Sequence, residues 1–84
     1  MKEMKNTDVM ALMNDIHNVF FKKYRDMELS PDSTAWDDIV VDAGKLMDKY
    51  KEFTHMECGA EVRSADAPIL WMLGILERRS KKNE

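Results

Sequence analysis

The chain has 84 residues, with 13 Lys and Arg against 16 Asp and Glu, for a net charge of -3. That length admits one domain with a thin core, and the acidic balance argues against a nucleic-acid binder acting through bulk charge. A single cysteine, Cys58, excludes an intramolecular disulfide and a cysteine-based zinc cluster.

The longest apolar run, residues 69–76, is far shorter than the roughly 20 residues of a membrane span. No apolar stretch follows the charged start Met1-Lys2-Glu3-Met4-Lys5, so no signal peptide is expected and a cytoplasmic setting fits best. Eight methionines make the apolar surfaces soft and adaptable. The charges are unevenly spread: residues 30–57 carry 7 acidic and 3 basic groups, and Arg78, Arg79, Lys81 and Lys82 form a basic cluster at the end.

In chain order, the first predicted element is a helix over about 8–26. Asn6 or Thr7 can cap it, with Asp8 in its first turn. Val9, Leu12, Met13, Ile16, Val19, Phe20 and Tyr24 recur at spacings of three and four, which places them in one apolar stripe at about 100° per residue. Asn14, Asp15, Asn18 and Lys22 fall opposite, and Phe21 lies at the stripe's edge.

Residues 27–34 connect to a second helix over about 32–53. Ser30-Pro31 is one start signal, and Thr34 before Ala35 is another. Trp36, Ile39, Val40, Ala43, Leu46, Met47 and Tyr50 form its apolar stripe, with Asp38, Asp42, Lys45, Asp48, Lys49 and Glu52 on the other side. Gly44 beside the stripe would allow another helix to approach closely.

Residues 54–65 show no strand alternation and read as an irregular crossing or a short extra helix around 54–64. A third helix follows over about 67–81, with Asp66 as cap and Pro68 in its first turn. Its face of Ile69, Met72, Leu73 and Leu76 suits a core, yet Trp71 and Ile75 lie on roughly the opposite side. Gly74 costs such a helix about 1 kcal/mol relative to Ala. Together these elements predict an all-α fold. Helices 1 and 2 form an antiparallel hairpin in a three-helix bundle, with helix 3 packed across it.

Chemistry-bearing motifs are sparse. His55 and Cys58 are three residues apart beside Glu57, with Glu52 and Glu61 near in sequence, but a structural zinc site takes four ligands. As a nucleophile and base they lack a third residue to orient them. Phosphate-binding glycine loops, HExxH and DxDxDG are absent from the sequence. The expected protein is therefore non-catalytic, without metal or cofactor.

The apolar surplus on helix 3 points instead to a protein contact, because tryptophan is favoured at interface hot spots. Leu70, Trp71, Gly74, Ile75 and Arg78 are the expected interface, in a homodimer or with a protein partner. The alternative is a nucleic-acid-related regulator. It would bind DNA weakly through the basic C-terminus or imitate phosphates with the acidic face of helix 2. A third reading is a metal protein or enzyme using His55 and Cys58.

Several short pieces carry a resemblance. They are Asn14-Asp15-Ile16, Phe21-Lys22-Lys23-Tyr24, Trp36-Asp37-Asp38-Ile39, Asp48-Lys49-Tyr50 and Leu76-Glu77-Arg78. In these the chain resembles small all-helical proteins without assigned activity from Gram-positive bacteria and their phages or mobile elements. That resemblance implies an all-helical accessory protein and carries over no functional residue.

Overall fold

The structure is a computed structural model that describes residues 2–27, 29, 30 and 32–82, with Lys82 described through its backbone alone. Its elements are α1 (Asn6–Asn14), a π-helical segment (Asp15–Phe21), α2 (Lys22–Tyr24), α3 (Ala35–Lys49), β1 (Thr54–Glu57), β2 (Ala60–Arg63) and α4 (Asp66–Lys82). The first three run on without a break, with αR backbone at Asn14, Asp15, Phe21 and Lys22, and form one rod.

The π segment explains which residues of the rod are buried. Leu12, Ile16, Phe20 and Tyr24 enter the core, each four residues after the last. In a pure α-helix every step of four overshoots a full turn by about 40°, so a row at this spacing drifts off the core. Turns closed by i→i+5 hydrogen bonds hold more residues and take that drift out. Val19, assigned to the stripe by α-helical spacing, is turned out by these turns; Val9 and Met13, in α1 ahead of them, are exposed as well.

The start of the rod is capped by its own backbone and first turn: the Lys5 amide donates to Asp8 Oδ2 at 2.9 Å. At the other end, Arg79 Nη2 donates to the Arg25 carbonyl at 2.7 Å, meeting one of the acceptors a helix leaves unpaired at its C-terminus. That contact ties the far end of α4 to the end of the rod. Trp36 Nε1 donates to the Ser30 carbonyl at 2.9 Å and pins the connection to α3. Pro31 lies outside the described residues; α3 begins at Ala35, whose amide donates to Ser33 Oγ.

Ile39, Ala43 and Tyr50 of the α3 region, Phe53 and Ala65 around the strands, and Ile69, Met72 and Leu76 of α4 complete the core with Leu29. α3 stops at Lys49, earlier than the predicted 53. Val40 is exposed, and nothing lies within 4 Å of where a Cβ on Gly44 would sit, so no helix uses that glycine for close approach.

The all-α expectation is wrong. Residues 54–63 form an antiparallel hairpin, pairing Thr54 with Arg63, His55 with Val62, Met56 with Glu61 and Glu57 with Ala60. Its two-residue loop, Cys58-Gly59, has φ of 52° and 81°, the sign that a type I′ turn demands at both positions. Two facts hid it from the sequence. Every residue from 56 to 61 is exposed, so no buried face imposed an alternation. Cysteine also replaces the asparagine or aspartate that usually marks such a turn.

The root of the hairpin is tied down while its outer half stands clear. The Ser64 amide donates to the Phe53 carbonyl at 2.9 Å, and the Thr54 amide to the Lys2 carbonyl at 3.0 Å. The Lys2 ammonium sits 4.9 Å from the centre of the buried Phe53 ring and 3.2 Å from Glu52. The charged start of the chain is therefore held against the hairpin's base through Lys2. The molecule measures 42 × 26 × 18 Å with a radius of gyration of 14.0 Å, above the ~12 Å of a compact chain this long.

Positive φ at a residue with a Cβ costs about 1–2 kcal/mol, and asparagine tolerates it better than cysteine. Cys58→Asn is expected to stabilise the hairpin by about 0.5 kcal/mol, read as slower amide exchange at residues 55–62. Faster exchange would contradict the turn assignment.

Candidate functional site

Two Lys-Tyr pairs hold the rod and α3 together by a reciprocal arrangement. From the end of the rod, Lys23 Nζ reaches Asp42 Oδ2 at 2.8 Å, and the Tyr24 hydroxyl donates to the same oxygen. From the end of α3, Lys49 Nζ and the Tyr50 hydroxyl donate to Asp15 Oδ2 at 2.7 and 2.6 Å. Each helix thus clasps an aspartate at the middle of the other, as an antiparallel pair requires. Asp15, Asp42 and Lys49 are not idle members of solvated faces, as helical spacing suggests. The repeated Lys-Tyr dipeptide at two helix ends was the available signal for these clasps.

Between the clasps lies an open groove of about 340 Å³, with Val19, Phe20 and Leu46 as its apolar floor. Asp15, Lys23, Asp42, Lys45 and Lys49 line its walls. Both carboxylates are already met by an ammonium and a phenol, and this satisfaction shifts their titration. For Asp15, burial opposes the charge, but the bonds from Lys49 and Tyr50 outweigh it and hold its pKa below the usual carboxylate value. For Asp42, the bonds from Lys23 and Tyr24 do the same against a smaller burial effect. Burial and the neighbouring carboxylates push both tyrosines up, Tyr50 to about 12.

On the hairpin, His55 connects two groups: Nδ1 lies 2.8 Å from Ser64 Oγ and Nε2 lies 3.1 Å from Glu57 Oε2. A hydroxyl, imidazole and carboxylate in sequence resemble a nucleophile with its base and orienting acid. Sequence reading paired His55 with Cys58 and missed Ser64, which the strand register brings back beside the histidine. The surroundings do not suit acyl transfer. The Ser64 amide, a natural oxyanion donor, is bound to Phe53, and the Glu57 carboxylate is exposed. Cys58 is exposed at the turn. Among the described residues, no group of three or more His, Cys, Asp or Glu is placed to hold a metal ion.

The expected interface residues on α4 share its outer side. Trp71 and Leu70 are 62% and 55% exposed; Arg78 is also exposed, and Gly74 and Ile75 are half-buried. Trp71 therefore is not part of the core, in contrast to Trp36, whose indole N–H is bound. The Arg78 guanidinium folds back over Gly74, 3.6 Å from where a Cβ would be. No described helix is long and apolar enough to cross a membrane, so a spanning helix does not account for this apolar surface.

Comparison with protein-family models, curated proteins and solved structures finds no match to this chain. Its functional reading rests on its own geometry.

The clasps carry two expectations. Tyr50→Phe removes a hydrogen bond to a charged, largely buried carboxylate and should cost about 1–2 kcal/mol in urea unfolding; an unchanged midpoint would contradict it. The second concerns pH. The aspartates' contribution is present above their unfolded pKa, about 3.9, and is lost as pH falls through their lower folded values. The tyrosines' contribution is present below about 10 and is lost as pH rises through their higher folded values. The chain has two tyrosines and both are in clasps. An alkaline absorbance titration should therefore show tyrosinate appearing only above the ordinary pH, together with loss of stability. Ionisation near pH 10 with the helices intact would contradict the clasps.

Proposed function

We propose that this chain is a non-catalytic protein-interaction module that self-associates through the outer face of α4. The observation that carries the reading is Trp71, 62% exposed in the middle of a regular helix with Leu70 beside it. A large aromatic held out on a rigid element supplies contact area with little conformational cost. A thin core in a chain of 84 residues also favours help from association.

The nucleic-acid alternative has less to support it. Of the basic cluster, Arg79 is engaged at the Arg25 carbonyl and Lys81 pairs with Glu77 at 3.1 Å. Among the described residues, these contacts engage two of the cluster's cations, which weakens it as a patch for releasing counterions from a phosphate backbone. Phosphate mimicry by α3 is weakened in the same way, because Asp42 belongs to a clasp.

Light scattering across a dilution series tests the proposal on the native chain and on Trp71→Glu. The native chain should show a concentration-dependent dimer. The variant should be a monomer with an unchanged circular dichroism spectrum, because Trp71 lies outside the core. A native chain that stays monomeric at the highest concentration would overturn the reading.

A further inference from the structure

We infer that α4 pairs with α4 of a second copy in antiparallel fashion, with Trp71 of each copy seated on Gly74 of the other. This rests on the self-association proposed above and specifies its geometry.

The outer face of α4 carries Ala67, Trp71, Gly74 and Arg78, at spacings of four, three and four. This is the a/d repeat of a coiled-coil seam, narrower than the stripe a globular core uses. None of the four is buried within its own bundle. The inner face of Ile69, Met72, Leu76 and Ser80 is already packed, so the seam is a second, separate surface.

The order of side chains along the seam is self-complementary in one direction only. Set antiparallel about a two-fold axis between residues 72 and 73, the seam places each Trp71 opposite a Gly74 and each Ala67 opposite an Arg78. The largest side chain then meets the smallest, and an alanine leaves room for a long arginine. A parallel pair would put Trp71 on Trp71 and Gly74 on Gly74, crowding one layer and leaving the next empty.

Charge favours the same direction. Asp66, which Arg63 meets at 3.2 Å, begins α4, while the exposed Arg78 lies towards its end. Antiparallel pairing sets Asp66 of each helix beside Arg78 of the other and opposes the two helix dipoles. Parallel pairing stacks like charge on like charge at both ends. Arg78, whose flexible side chain now covers Gly74, swings aside in this pair.

The test uses the full chain with Cys58→Ser, into which Ala67→Cys and Arg78→Cys are placed separately. In the antiparallel pair, residues 67 of the two copies lie about 16 Å apart along the axis, as do residues 78, from the 1.5 Å rise per residue. A bis-maleimide with a reach shorter than that separation, adding one cysteine thiol at each end, should cross-link a mixture of the two variants and neither variant alone. Cross-linking of each variant alone would show a parallel pair. A dimer by light scattering that cross-links in no combination would place the contact off this seam. Either of these overturns the inference while leaving self-association standing, whereas a monomer by light scattering removes both.

Gly74→Leu gives an independent reading. It improves helix propensity but fills the seat of Trp71. It should weaken association by about tenfold or more, a change of at least about 1.4 kcal/mol, without loss of helix. Unchanged association would contradict the seating.

Discussion

The antiparallel register of the rod and α3 is the constraint on which the remaining structure depends, and the two Lys-Tyr clasps set it. Each joins a helix end to the middle of the facing helix through one carboxylate oxygen. The lysines lie largely in solvent, where an ion pair contributes about 0–1 kcal/mol. The phenols are buried up to their hydroxyls, with Tyr24 and Tyr50 1% and 5% exposed, and they carry most of the specificity. A buried phenol without an acceptor is costly, so a slip of one residue would lose both clasps together. The π winding belongs to the same solution. It keeps Tyr24 in line with the core while Asp15, Val19 and Lys23 line the groove beside it.

With that pair fixed, α4 packs against it through Ile69, Met72 and Leu76 and is held at its end by Arg79 on the Arg25 carbonyl at the end of the rod. The core needs nothing more from α4. Its other side is left with Trp71, Leu70 and a glycine, a composition that a solvated helix does not require. The step from fold to function lies here: the internal packing is complete without this face.

How much of this the sequence disclosed depended on burial. Helices were legible wherever a face was buried, as with Ile39, Ala43 and Tyr50 or Ile69, Met72 and Leu76. The rod was legible as a helix but not in its winding: a 100° step assigned Val19 to the core and the π turns expose it, while Val9 and Met13 of α1 are exposed ahead of those turns. The hairpin was illegible because strand alternation is a record of one-sided burial, and residues 56–61 have none. The outer face of α4 was visible as an apolar surplus, while the clasps were not, since Asp15 and Asp42 sit at positions that helical spacing assigns to solvent.

The most direct test of the clasped register is a double-mutant cycle between Asp15→Asn and Tyr50→Phe, followed by urea unfolding. If the two side chains act through their shared hydrogen bond, the double variant should be more stable than the sum of the single losses implies, with a coupling of about 1 kcal/mol or more. Strictly additive losses would mean that Tyr50 and Asp15 do not meet, and that the rod and α3 pair in some other register.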